Sequence, residues 1–325
     1  MSTAHVPLTG PAVTPAPEPT PGRAGTTPRW VLVAMLANLV CEIGIVVTGG
    51  LVRLTGSGLG CTTWPDCVPG SFVPVAQQAQ GWHKYVEFGN RSLITVLTIA
   101  AVAALAAGVA QVRSGRASRR FGWWSLTPLL GVVAQAVMGG ITVLTHLSPI
   151  TVAVHFLLSM VVIAGAALLY LAVRDDLTPP QPGRELRWLT VALAALTAVI
   201  LALGTAVTGS GPHAGDAQAR RFGFNPRDVS VLHADAVLLF TGLVVGLVLV
   251  VRLTGAGPAV RRRAWWVVAV TVGQGVLGYA EYAARLPIAL VALHMLGASL
   301  LVVAVTALVA GVFGVRPLVR PTDRA

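Results

Sequence analysis

Two histidines of this chain stand in matching surroundings, one in each half. Gln135, Gly139 and Pro149 precede His155 in the run PITVAVHFLL, and Gln274, Gly278 and Pro287 precede His294 in PIALVALHML. The Gln-to-His spacing is 20 residues and the Gly-to-His spacing 16 in both copies. Each imidazole lies in a long apolar stretch, where its nitrogens need a partner to offset lost hydration. Imidazole is a transition-metal ligand, and buried histidines in register in a duplicated membrane bundle are what haem binding requires.

A third buried histidine, His233, falls in an apolar run of the second half. His233 and His294 are both expected one to two turns below the external surface, on neighbouring helices. Such a pair can ligate a haem iron from opposite faces, with ligating nitrogens about 4 Å apart, twice a metal–imidazole distance of ~2 Å. A zinc site would want further Cys, His or carboxylate ligands nearby, and none is evident. A plainer reading of all three is an interhelical or capping hydrogen bond. His5 lies in the N-terminal tail, and His83, His146 and His213 fall in external loops or at helix ends, where a solvated histidine needs no explanation.

The first half is not a copy of the second. Aligning their second helices sets Asn90 of VEFGNRS opposite His233, and Glu87 opposite Ser230. The first half therefore keeps His155, replaces its partner by Asn90, and gains a carboxylate three residues before it, on the same helix face. A permanently bis-ligated haem cofactor in the second half and a substrate in the first is what this asymmetry implies. The competing reading of Glu87 is an i,i+4 ion pair with Arg91 that stabilises the helix end.

The elements that must position these residues are set by composition. Of 325 residues 55% are hydrophobic and only 11% charged, and the mean hydropathy is +0.76. That excludes an ordinary soluble domain and gives an all-α polytopic membrane protein. Eight apolar segments are expected to span, near 30–52, 86–110, 124–145, 150–173, 188–209, 229–251, 264–281 and 286–313. Of the 23 basic residues, 16 fall in tails and alternate connections that then share one side, which the positive-inside rule makes cytoplasmic, with both termini. The net charge of +11 is thus topogenic, and no nucleic-acid partner is expected. Trp123, Trp124, Trp188, Trp265 and Trp266 stand at cytoplasmic helix starts as an aromatic belt. The Pro/Thr/Ala/Gly-rich stretch 1–28 reads as a disordered cytoplasmic tail with no cleavable signal.

On the external side, the loop of about 52–85 carries Cys61 and Cys67, five residues apart in a segment facing an oxidising compartment. A disulfide is expected there, either a staple for a Gly/Pro-rich loop or a dithiol that relays electrons. Cys41 reads as a small buried apolar residue. Glu42, inside the first span, could make an interhelical hydrogen bond, take part in a proton path or be solvated at the membrane edge. Val207-Thr208-Gly209, ahead of the loop 209–228, echoes Val47-Thr48-Gly49. The repeat thus covers the chain as two parallel four-helix bundles related by an axis along the membrane normal. The expected divisions are a tail 1–28, halves 29–175 and 176–315, and a cytoplasmic tail 316–325.

Over residues 30–313 the chain resembles the heme A synthase family. The motifs are GGLVRLTGSGLGCTTWPDC, EFGNR and GGITVLTHLSPITVAVHF in the first half. In the second they are GTAVTGSGPHAGD, HADA and QGVLGYAEYAARLPIALVALH. The resemblance implies conversion of heme O to heme A, a ring methyl being oxidised to formyl by successive hydroxylations with oxygen from water. It further implies a bound heme b that passes electrons on, with His233 and His294 as ligands of its iron. His155 would stand at the substrate haem iron, Glu87 would be the catalytic carboxylate, and Cys61 and Cys67 the external cysteine pair. Heme O synthase would act upstream, and the product would serve assembly of an aa3-type cytochrome oxidase. Arg91, Arg53 and the cluster Arg220, Arg221 and Arg227 face the external side, where haem propionates would need cations.

The family's second-span motif usually reads Glu-x-x-His-Arg, and here it is Glu87-Phe-Gly-Asn90-Arg91. Asn90 could bind the substrate iron weakly or through water, His83 or His146 could substitute, or the iron could be five-coordinate. The last suits a substrate that must enter and leave. Two readings from another class are a haem-binding membrane cytochrome that only relays electrons and a haem-carrying chaperone. Matched ligand pairs in both halves would mark the cytochrome, and Asn90 and Glu87 argue against it. A secondary transporter would want helix breaks near the bilayer centre, and the Gly/Pro content lies at the external ends. Arg-dominated, Ala/Val-rich usage points to a bacterial plasma membrane, with membrane lipid as the surrounding partner.

Overall fold

The computed structural model describes residues 27–174 and 183–314. The tails expected at 1–28 and 316–325, with His5, therefore lie outside the described residues, apart from residues 27 and 28. The described chain is helical: α1 (Arg29–Leu54), α2 (His83–Arg113), α3 (Arg119–Trp124), α4 (Thr127–Leu144), α5 (Pro149–Arg174), α6 (Arg184–Ser210), α7 (Pro226–Leu253), α8 (Pro258–Ala283) and α9 (Ile288–Phe313). Among the described residues the only bridge is an isolated one between Val68 and Ser71.

Local chemistry sets the helix ends. The Asn225 side chain accepts from the Arg227 N–H at 3.0 Å, Pro226 follows it, and Asp228 sits in the first turn, an arrangement that suits a helix start. Ser118 caps α3 by accepting from the Phe121 N–H. Gly115 follows α2 with φ +73° and Gly314 follows α9 with φ +75°, both in the left-handed region that stops a helix.

Seven of the eight expected spans are helices long and apolar enough to cross a bilayer, the third running from Arg119 through Leu144. The chain is a multi-pass membrane protein. α8 has the length, 26 residues, but Arg261–Arg263, Gln274 and Glu281 dilute its apolarity. The outward faces carry exposed Leu238, Leu239, Val245, Val272 and Val276, and all five belt tryptophans are exposed, as a lipid-facing surface requires.

Inside, small residues bring the helices close. Ala101, Ala104 and Ala107 of α2 and Ala167 of α5 are fully buried. α1 packs on α2 and α5, and α4 on α2 and α5; likewise α6 packs on α7 and α9, and α8 on α7 and α9. The two sets meet through α5 against α6 and α9, and through α1 against α9. Leu39 and Val46 of α1, Met160 and Ile163 of α5, Leu201 of α6 and Val302 of α9 form the core between them.

A second correspondence lies in two turns. His146 and Leu147, between α4 and α5, have φ of 50° and 57°; Arg285 and Leu286, between α8 and α9, have 63° and 59°. In each the second residue's N–H reaches back to the carbonyl five residues earlier, Leu147 to Thr142 at 2.8 Å and Leu286 to Glu281 at 2.7 Å. Two left-handed non-glycine residues in a row are rare, and here they recur at equivalent places. Identical turns keep α5 and α9 in the same register against the helices before them.

Candidate functional site

The turns deliver His155 and His294 to equivalent positions. A Cβ placed on Gly139 would meet His155 Cε1 at 3.6 Å, and one on Gly278 would meet His294 Cε1 at 3.5 Å. Each imidazole thus lies over a glycine of the preceding helix. The repeated glutamines tie the same helix pairs together. Gln274 Nε2 donates to the His294 carbonyl at 3.1 Å. Gln135 Nε2 donates to Ser159 Oγ at 2.6 Å, and that hydroxyl donates to the His155 carbonyl at 3.0 Å. His233, on α7, lies over Gly204 of α6, where a Cβ would be 3.5 Å from its Cε1.

All three histidines line one cavity of about 420 Å³ that runs between the two sets of helices. The Nδ1 atoms of His155, His233 and His294 are buried and have no hydrogen-bond partner, and the same holds for Asn90 Oδ1. Asn90, Glu87, Arg91, Arg53 and Glu42 also face this space. Glu42 is buried, at 4% exposure, with Oε1 unpartnered, so its place is the cavity wall and not the membrane edge. Cys41 carries a free thiol and packs beside Leu97 and Ala101.

Glu87 is the most engaged side chain of the site. Arg91 donates to Glu87 Oε1 from Nη2 at 2.6 Å and from Nε at 3.1 Å. The Cys61 N–H donates to Glu87 Oε2 at 2.6 Å. Arg91 then reaches the carbonyls of Thr63, Asp66 and Cys61 at 3.0, 3.2 and 3.3 Å. The i,i+4 pair is therefore present, and it holds the α1–α2 loop onto α2 while its carboxylate lines the cavity.

That loop is closed by the expected disulfide, Cys61–Cys67, with Cα atoms 4.4 Å apart. Gln78 Nε2 donates to the Gly60 carbonyl, and Lys84 Nζ donates to Val75 and Ala76 at 2.7 and 3.1 Å. Gly60 lies against the His83 carbonyl and Gly140 against the Trp64 ring, so a side chain at either would push the loop off the helices. Trp64 itself lines the cavity.

The remaining loop histidines have structural partners or lie away from the site. His83 Nδ1 shares a hydrogen bond with Ser57 Oγ at 2.8 Å. His213 Nε2 meets the Leu286 carbonyl at 3.0 Å, which ties the α6–α7 loop to the α8–α9 turn. His146 occupies the α4–α5 turn, and neither it nor His83 is among the residues lining the cavity. Asn90 is. Arg53 spends Nε on the His213 carbonyl at 2.7 Å and Nη2 on the Thr208 carbonyl at 3.1 Å, joining the two halves at the disulfide end. Arg221 donates to the Gly211 and Pro212 carbonyls, and neither Arg220, Arg221 nor Arg227 lines the cavity.

Sequence reasoning passed over Glu281. It lines the cavity on α8, its Oε1 is 4.0 Å from His294 Nδ1, and its Oε2 is buried without a partner. Its repeat-equivalent is Thr142, so aligning the halves gave no reason to look for a carboxylate there. Among the described residues no three His, Cys, Asp or Glu side chains converge as a bare metal ion would need.

Residues 29–306 match the COX15-CtaA family, cytochrome oxidase assembly protein. The chain belongs to this family. Similar proteins include the heme A synthase of Methylobacterium nodulans, 31% identical over 203 residues, covering 52% of this chain and 54% of that protein. The heme A synthase of Methylobacterium radiotolerans is 30% identical over 59% of this chain and 58% of its own length. That of Lysinibacillus sphaericus is 28% identical over 55% and 57%. The chain spans a little over half the length of these curated relatives. Within the family frame, the cavity joins an imidazole–asparagine–carboxylate group from one set of helices to two imidazoles from the other.

Proposed function

We propose that this chain is a heme A synthase, an oxidoreductase that converts a methyl group of heme O to a formyl group. The observation that carries the reading is the single cavity onto which His155, Asn90 and Glu87 open from one side and His233 and His294 from the other. The residues present fit haem groups. Their imidazoles are half-buried, with the Nδ1 atoms buried and unpartnered, and the wall around them is largely apolar. Two imidazoles on one side and one on the other, without a third or fourth ligand, suit iron already held by a macrocycle.

In this reading His233 and His294 hold heme b, which supplies a one-electron carrier when bound. His155 faces the substrate iron, and Asn90 leaves the opposite position open. Turning a methyl and one water into a formyl group releases four electrons and four protons, so the site needs a proton acceptor beside the methyl, and the electrons must leave one at a time for an oxidant outside this chain. Glu87 serves there. Arg91 donates twice to Oε1 and the Cys61 N–H fixes Oε2, so it falls to Oε2 to accept from the reacting water or methyl-derived group.

The same reading makes residues 29–175 and 176–315 two parallel four-helix repeats, with α8 as the eighth span and both termini in the cytoplasm of a bacterial cell. The matched turns and helix pairings support it. Heme O synthase would deliver the substrate, and heme A would pass on to cytochrome oxidase assembly.

The Glu87–Arg91 clamp favours a second reading, a membrane cytochrome in which Glu87 is structural and nothing is oxidised. Haem extracted from membranes carrying this chain with a heme O synthase separates the two. Heme A is expected for the wild type. Glu87→Gln, which keeps the shape of the clamp, is expected to retain bound heme b and lose conversion by roughly 10²–10⁴-fold, the range of general acid–base contributions. Heme O left untouched by the wild type would establish the cytochrome.

A further inference from the structure

We infer that Glu281 is a positioning residue for His294, orienting its ring and strengthening it as an iron ligand. The inference rests on His294 being a haem ligand, and it adds a group that the duplicated motif does not contain.

Two half-buried polar side chains face each other here. Glu281 Oε1 is 4.0 Å from His294 Nδ1, and neither that nitrogen nor Glu281 Oε2 has a hydrogen-bond partner. The gap is longer than a direct hydrogen bond, but one water or a small side-chain rotation closes it. The surroundings hold the pair in place. Glu281 lies in the last turn of α8, where its carbonyl accepts from the Leu286 N–H at 2.7 Å. The Leu286 carbonyl is bound in turn by His213 at 3.0 Å. On the other side, Gln274 holds α9 at the His294 carbonyl, and Gly278 lies beneath the ring.

An imidazole that donates its Nδ1–H to a carboxylate presents Nε2 as the ligand, with its ring orientation fixed and its basicity raised. A more basic axial ligand stabilises the oxidised iron and lowers the midpoint potential. The first half lacks this device. Thr142 stands where Glu281 does, and its hydroxyl donates back to the Gly139 carbonyl at 2.6 Å. The carboxylate therefore marks the half proposed to carry electrons.

The test is redox titration and electron paramagnetic resonance of the full-length protein purified with its haem, for wild type, Glu281→Gln, Glu281→Asp and His294→Ala. Glu281→Gln is expected to keep low-spin haem and to raise the ferrous-to-ferric ratio at a fixed potential roughly tenfold, an upward shift of about 59 mV for one electron. Glu281→Asp is expected to return most of that shift. An unchanged potential and unchanged resonance in Glu281→Gln would overturn the inference. Should Gln cost the haem outright, haem retained by the Asp variant supports the inference and haem lost from both overturns it. His294→Ala separates the two levels. Loss of the low-spin signal upholds the ligand reading whatever Glu281 does, and a wild-type spectrum there would sink both.

Discussion

Facing the cavity, the first half offers Glu87 from α2, and the second offers Glu281 from α8, beside His294. Asn90 lines the cavity with the α5 histidine, and His233 lines it with the α9 histidine. The first half also carries the longer loop, between α1 and α2, closed by Cys61–Cys67 and clamped by Arg91. The second has a shorter loop, anchored through His213 and Arg53. The framework is otherwise shared, down to consecutive left-handed residues at His146–Leu147 and Arg285–Leu286. Matching turns and helix pairings set where His155 and His294 stand, and the residues around them differ between the halves. In the proposed function the two histidines of the second half would hold heme b, while the histidine, amide and carboxylate of the first would face heme O.

The sharpest way to break this comparison is to delete one histidine from each half. His233→Ala is expected to abolish retention of the low-spin b-type haem in the purified protein, since it breaks the proposed imidazole pair. His155→Ala is expected to leave that haem bound with its spectrum unchanged while heme O conversion is lost. Optical spectra of purified protein and extracted-haem analysis of the same membranes read the two effects separately. If either variant disturbed both haems equally, the halves would not divide the labour.

A smaller effect is expected from making the halves alike. Asn90→His puts an imidazole on the cavity with His155, as His233 is with His294. Bound heme O is then expected to change from a five-coordinate, high-spin spectrum to a low-spin one, while conversion continues. A wild type already low-spin at the substrate iron would show that another group completes its coordination. His83, bonded to Ser57, and His146, in the α4–α5 turn, are poor candidates for that group.

Much of this arrangement was legible before any coordinates. Apolarity marks the spans because a bilayer admits little else, and the spacing of Gln, Gly and His reports register because helix geometry converts residue number into position. What stayed hidden depended on contacts distant in the chain or on backbone shape. Nothing in the sequence around Glu87 shows that the Cys61 N–H, 26 residues earlier, will meet its carboxylate. The paired left-handed turns contain no glycine to announce them. Glu281 sits near a helix end among Tyr279 and Tyr282, where a carboxylate reads as interfacial, and only folding aims it at His294. α8 looked like its neighbours by length, yet its arginines and polar cavity residues leave it less apolar than the other spans.

The smallest expected effect concerns the glutamines. Gln274 donates directly to the His294 carbonyl, whereas Gln135 reaches its helix through Ser159. Hydrogen bonds between membrane helices average only about 0.6 kcal/mol, so Gln274→Leu and Gln135→Leu should each lower thermal stability in detergent slightly and by similar amounts. Their haem readouts should differ. Gln274→Leu loosens the backbone that carries a proposed heme b ligand, so a small change in the low-spin spectrum is expected. Gln135→Leu loosens the substrate side and should leave that spectrum alone. Equal spectral changes would mean that the helices of the shared cavity move as one body, and that the division between halves lies in the side chains alone.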